Sequence, residues 1–172
     1  PVKRYDIFFS VASKVLSLYP HAKFVAFGSG VDSENCEIVK LNQSYRMENK
    51  ITCLGEVEEV PSILEKLDIY ISTSEVEAFP VSIAEAMAMG LPCVVTDVGD
   101  TARLLGDTGT LVVCNDVDQF VAALVAMIEL GRLKRDELGR KARNRIDCYF
   151  TIEKSSEKYA NLYNTVLIEN KS

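Results

Sequence analysis

The sequence predicts an α/β domain of the doubly wound kind, a parallel sheet covered by helices on both faces. Three observations predict it. Short apolar runs recur at Phe24-Val25-Ala26-Phe27, Ile51-Thr52-Cys53-Leu54, Ile69-Tyr70-Ile71-Ser72, Cys93-Val94-Val95-Thr96 and Thr110-Leu111-Val112-Val113. They are apolar at successive positions rather than alternate ones, which marks strands buried on both sides. Stretches with helical spacing separate them, the alternation of a Rossmann-like sheet. The 172 residues suit one domain with a core of useful size.

Taken in order, residues 5–19 carry Ile7, Phe8, Val11, Val15 and Leu18 on one helical stripe. The first strand ends in Gly28-Ser29-Gly30. A helix of mixed polarity is predicted over 34–46, and Gly55 closes the second strand. Residues 60–66 suit a short helix before the third strand. Pro80 opens a helix that runs to about Met89 and stops at Gly90, with proline in the first turn and glycine after the last. Pro92 precedes the fourth strand. After the fifth, Asn115 or Asp116 caps a helix bearing Val117, Phe120, Val121, Leu124 and Ile128, and two more helices are predicted over 134–147 and 151–168.

Composition narrows the function. Hydrophobic residues make up 48% and charged residues 26%, ordinary for a globular domain. The net charge of -6 and pI near 4.9 argue against nucleic acid as the main partner. The five cysteines are scattered, without a C-x-x-C pair, and read as buried reduced thiols of a cytoplasmic protein. The single His21 leaves little material for a zinc site or a Ser-His-Asp triad. No apolar run approaches membrane-spanning length. The opening at Pro1-Val2-Lys3, without methionine, reads as a fragment or a processed product.

In doubly wound sheets ligands bind beyond the carboxyl ends of the strands. The glycines after the first strand, Gly28 and Gly30, suit close backbone approach to a phosphate or sugar, although taken alone they are better explained by a tight strand-to-helix turn. The loop after the third strand is more informative. Glu77 precedes the helix start, and Glu85 lies five residues beyond Pro80, about 7–8 Å along the helix. Between them the amides of Val81, Ser82 and Ile83 are expected to be free at the positive end of the helix dipole. Two carboxylates flanking bare amides suit an extended ligand with an anionic middle and hydroxylated ends. Glu85 falls among Ile83, Ala84, Ala86, Met87 and Ala88, where a charged residue needs a reason.

The segment from Glu77 to Pro92 resembles the signature of family 4 glycosyltransferases of the GT-B fold: two glutamates with seven residues between them, Ala-Met-Ala, then Gly-x-Pro. The resemblance extends to Val94-Val95-Thr96-Asp97-Val98-Gly99, to Gly109 with Leu111-Val112, to Tyr159 and Tyr163, and upstream to Gly28-Ser29-Gly30 and Leu54-Gly55-Glu56-Val57. It implies that residues 1–172 form the nucleotide-sugar-binding C-terminal domain of a retaining enzyme, apart from its N-terminal acceptor domain. It implies catalytic roles for Glu77, facing the donor sugar, and for Lys3, binding phosphate. Phe79, Pro80 and Val81 would contact sugar and diphosphate, Glu85 the ribose, and Val57 the nucleobase. The family's strand before that lysine, and an arginine near its end, have no counterpart here, so a sheet short of its first strand is expected, and transfer by this chain alone is not.

The donor expected is a nucleoside-diphosphate sugar, with no cofactor or metal. The acceptor is an unspecified sugar or lipid-linked sugar. Localisation is expected to be cytoplasmic, with peripheral contact at the inner face of a membrane. Asp116-Val117-Asp118 spells an Asp-x-Asp that elsewhere binds a divalent metal, but helix capping explains it better. Two rival readings are a GT-B nucleotide-sugar epimerase and a non-enzymatic phosphate-binding α/β module of the receiver kind. For the latter Asp97 is available, but no acidic pair follows the first strand.

Overall fold

The computed structural model describes residues 2–47 and 50–169; the Pro1 with which the chain opens lies outside them. Helix α1 (Tyr5–Leu18) leads to strand β1 (Phe24–Ala26), helix α2 (Cys36–Tyr45) and strand β2 (Ile51–Cys53). Helix α3 (Val60–Leu64), strand β3 (Tyr70–Ser72), helix α4 (Val81–Ala88) and strand β4 (Cys93–Thr96) follow. Helix α5 (Thr101–Leu105), strand β5 (Thr110–Val112) and helices α6 (Val117–Glu129), α7 (Gly131–Tyr149) and α8 (Ile152–Glu169) complete the chain. All strand pairs are parallel, with Phe24 beside Ile51, Tyr70 beside Cys93 and Val94 beside Thr110.

The strands form two sets, β1-β2 and β3-β4-β5, and a cleft separates the facing edges of β1 and β3. Burial records the difference. β4, paired on both sides, is buried at all four residues, whereas β3, at the edge of the cleft, is only half-buried throughout. Side chains alternate across a strand, so β4 feeds two cores. Val94 packs with α1, β1 and the Phe120, Leu124 and Met127 face of α6. Cys93 and Val95 pack on the opposite face with Ile83, Ala86 and Met87 of α4 and Ala142 of α7. Each fully buried Val or Leu contributes roughly 1.5–3 kcal/mol.

The α1 stripe buries from Ile7 to Val15, with Phe8 edge-on to Phe9 and Phe24 at 5.8 and 6.0 Å between ring centres, but Leu18, which the spacing put on the same stripe, is exposed in the last turn of the helix, where Leu16 is buried instead. Asn35 caps α2 by accepting the Glu37 amide at 3.0 Å, and Asp116 caps α6 by accepting that of Gln119 at 2.9 Å. Asp118 pairs with Lys14 at 2.6 Å, so the Asp-x-Asp pattern serves the start of α6 and its contact with α1. The reading of all five cysteines as buried is corrected: Cys93 is buried, while Cys36 and Cys148 are exposed on helices. Helix α5 was not anticipated. Its five residues are too few for a periodic signal, and it is stabilised by tertiary contacts. Thr101, Leu104 and Leu105 are wholly buried, and Arg145 of α7 donates to the carbonyls of Leu104 and Arg103 at 2.8 and 2.7 Å. One correction concerns α4, where Pro80 is the cap rather than the first helical residue.

Candidate functional site

The loop from Ser74 to Pro80, between β3 and α4, is held from two sides. On one side it meets the chain entering α1. The Thr73 hydroxyl is shared between the carbonyls of Lys3 (3.0 Å) and Arg4 (3.2 Å), and the Glu75 amide donates to Val2 O at 2.9 Å. On the other side it meets the end of β4. Thr96 Oγ1 donates to Ser74 O at 2.5 Å, and the Asp100 amide to Ala78 O at 3.1 Å. These backbone bonds bring Lys3 and Glu77 together, with Nζ 2.7 Å from Oε1. The Glu77 side chain is 13% exposed and that of Lys3 50%.

Arg4, next to Lys3, adopts a left-handed backbone at φ 48°. It grips Asp6 through two bonds of 2.9 and 2.8 Å, bonds Asn115, and lies 3.5 Å from Glu75. The bidentate bond holds the Asp6 carboxyl below its usual range and the guanidinium above its own.

At the start of α4 the expected row of three free amides is reduced. The Val81 amide turns back to Phe79 O at 3.0 Å, and that of Ile83 bonds Pro80 O at 3.1 Å. Of the three, only the Ser82 amide has no backbone acceptor among the described residues. The shortfall follows from Pro80 taking the cap position, because the chain turns tightly there before the helix begins. Further along α4, Ile83, Ala86 and Met87 face the core, while Glu85 is exposed and lines the cleft. The carboxylate that looked out of place among apolar neighbours is thus on the open face of an amphipathic helix.

The cleft encloses about 1400 Å³. Its lining brings together Lys3, Gly28, Val57, Ser82 and Glu85, along with Phe24, Ile69 and Tyr70 from the strand edges. Glu77 reaches it through Lys3. Gly30, Phe79, Pro80 and Val81 are not in the lining. The Gly30 carbonyl accepts from the Asn35 side chain at 2.6 Å, so this glycine serves the turn into α2. Phe79 lies 6.0 Å from the Phe150 ring at the end of α7, and Val81 is 58% exposed. The Gly28 amide donates to Gly55 O at 2.8 Å, tying the loop after β1 to the loop after β2.

Residues 1–130 match the family model described as Glycosyl transferases group 1. The chain belongs to this family. Among curated relatives, the glycosyl transferase domain is similar to N-acetyl-alpha-D-glucosaminyl L-malate synthase of Bacillus anthracis, 31% identical over 88% of this chain and 39% of that protein. It is also similar to the UDP-Gal:alpha-D-GlcNAc-diphosphoundecaprenol alpha-1,3-galactosyltransferase of Escherichia coli, 30% identical over 91% of this chain and 41% of that protein. The chain thus spans well under half the length of either relative. Among solved structures, it superimposes on Staphylococcus aureus TarM, solved with UDP bound, with a TM-score of 0.85 at 26% identity, covering 95% of this chain and 33% of TarM. HepE of Anabaena, solved with UDP-glucose, shares the fold with a TM-score of 0.84 at 20% identity, covering 96% of this chain and 46% of HepE.

In this glycosyl transferase domain, sequence reasoning anticipated the Ser82 amide but missed Tyr70. Burial pushes the pKa of the Tyr70 phenol up to about 12, with the charges of Glu77 and Glu85 adding to the effect. Its only sequence signal was a hydroxyl within an apolar strand. Among the described residues, no group of three His, Cys, Asp or Glu is placed to hold a metal ion, and no helix is long and apolar enough to cross a membrane.

Proposed function

We propose that this chain is the donor-binding domain of a retaining glycosyltransferase, the C-terminal part of a longer two-domain enzyme. Its ligand is a nucleoside-diphosphate sugar. The observation that carries the reading is that Lys3, Gly28, Val57, Ser82 and Glu85 all line the cleft that runs between the β1 and β3 edges and opens among the loops after the strands, with Glu77 tied to Lys3.

Donor and site match group by group. Glu85 accepts hydrogen bonds from the ribose hydroxyls, which a carboxylate does with charge-assisted strength. The diphosphate takes the Lys3 ammonium and the Ser82 amide. The base lies against Val57 and Leu54, both of which line the cleft. Glu77 faces the sugar. In the reaction the bond from the anomeric carbon to the diphosphate oxygen breaks, and its electron pair leaves with the nucleoside diphosphate. The acceptor hydroxyl oxygen bonds the same carbon, and its proton passes to the departing diphosphate oxygen. Lys3 and the Ser82 amide stabilise the leaving charge, and Glu77 stabilises the positive charge that develops on the sugar. No metal is assigned a part. The acceptor, a hydroxyl on a sugar or lipid-linked sugar, binds on the part of the enzyme outside this chain.

Calorimetric titration of the chain with UDP, GDP and ADP tests the reading: one of them binds, and binding of none counts against it. In the longer enzyme, near-normal turnover by Glu77→Ala would remove the role given to that residue.

A further inference from the structure

Gly99 lies in the loop between β4 and α5, against the peptide that joins Glu77 to Ala78. Its φ of +55° is in the left-handed region, where a Cβ is disfavoured. A Cβ at this position would stand 1.8 Å from Glu77 O, 2.7 Å from the Glu77 carbonyl carbon and 3.1 Å from Ala78 O. All three atoms are backbone and are held in place. The Asp100 amide bonds Ala78 O at 3.1 Å, and Thr96 Oγ1 bonds Ser74 O at 2.5 Å, so the β4–α5 segment grips the Glu77 loop at both ends. Glu75, Val76 and Ala78 are exposed. Backbone contact with the β4–α5 segment, rather than packing of these side chains, sets where Glu77 stands.

We infer that Gly99 is a positioning residue for Glu77: the absence of a side chain at Gly99 lets the Glu77 peptide settle against β4 and sets the reach of its carboxylate toward the donor's sugar. The inference rests on the proposed reading of Glu77 as the residue that faces that sugar. Gly99 touches no ligand group itself. A substitution there displaces the Glu77–Ala78 peptide but leaves Glu85, Val57 and Gly28, which meet the nucleotide end, on other segments. A misplacement of about 1 Å at a reacting centre costs on the order of 100-fold in rate.

The test compares two probes on the same chain: whichever of UDP, GDP or ADP binds, and its hexose ester (UDP-glucose, GDP-mannose or ADP-glucose). Gly99→Ala is expected to keep the nucleoside diphosphate within a factor of about three, while the affinity for the sugar ester falls by about tenfold or more, as for a lost charged hydrogen bond. Thr96→Val releases the Ser74 end of the same loop without a steric clash, so it carries the test should Gly99→Ala not fold. It is expected to show the same selective loss. Equal weakening of both probes, the result of a merely structural role, overturns the inference, as does full retention of both. Failure of the unsubstituted chain to bind any probe would instead remove the reading on which the inference rests.

Discussion

Lys3 Nζ lies 2.7 Å from Glu77 Oε1, a pairing of two charged residues 74 positions apart in the chain. In the free protein each neutralises the other. A diphosphate entering the cleft competes with Glu77 for the same ammonium. Glu77→Gln frees Lys3 and removes a negative charge beside the anion. We expect it to tighten nucleoside diphosphate binding by about two- to fivefold, the value of a partly exposed pair. The gain vanishes when Lys3→Ala is added. Titration of the single and double variants checks this, and weaker binding by Glu77→Gln alone contradicts it.

Glu85 is exposed on the open face of α4, so its role and its contribution to stability separate. Glu85→Gln is expected to leave Tm within about a degree, as for an exposed side chain without buried partners, and to weaken nucleoside diphosphate binding by about 10- to 100-fold through lost charged hydrogen bonds. The 2′-deoxy form of the same nucleotide should lose affinity with the unsubstituted chain and lose little more with the variant. Thermal melts and titrations of the four combinations test this.

Gly139 of α7 sits on the end of α4, where a Cβ would stand 1.8 Å from Gly90 O. The two helices share the Met87 and Ala142 core. Gly139→Ala forces them apart and costs about 1–3 kcal/mol, which lowers Tm by roughly 2–12 °C in a domain of this size. An unchanged melting curve would show that α4 and α7 can slide without loss.

The Arg4–Asp6 pair has a pH signature. The guanidinium holds the Asp6 carboxyl below its ordinary value of about 3.9 in the folded chain. A carboxyl of lowered folded pKa stabilises the fold fully above its unfolded pKa, and this stabilisation is lost as pH falls through the folded value. The Tm difference between the chain and Asp6→Asn is therefore expected to be constant above about pH 5 and to shrink below about pH 4. Melts from acid to neutral pH measure it. A difference that grows toward acid would reverse the assigned sign.

Most of the scaffold was legible because it obeys short-range rules. The apolar runs at Phe24, Ile51, Tyr70, Cys93 and Thr110 became the five strands, each within a residue or two of expectation. The stripe from Ile7 to Val15 became the buried face of α1. What escaped was made by contacts distant in sequence. Helix α5 depends on Arg145, about 40 residues away, to satisfy its carbonyls. At α4, proline and glycine marked both ends, but the tight turn that consumes the Val81 and Ile83 amides depends on how Pro80 enters the helix.

The site divides along the same line. By itself the sequence determined which residues stand in the loops at the carboxyl ends of the strands, since strand periodicity and loop order place Gly28, Val57 and Glu77 there and put Glu85 on the helix that follows. Only the tertiary structure decided which of them share a space. It put Glu85 on the open face of α4, set Gly30 to work in a turn, and joined Lys3 to Glu77. The reason is physical: a period of two or 3.6 residues is written into neighbouring side chains, whereas the approach of two loops is set by backbone hydrogen bonds such as Thr73 to Lys3 and Thr96 to Ser74, which leave no pattern in the local sequence.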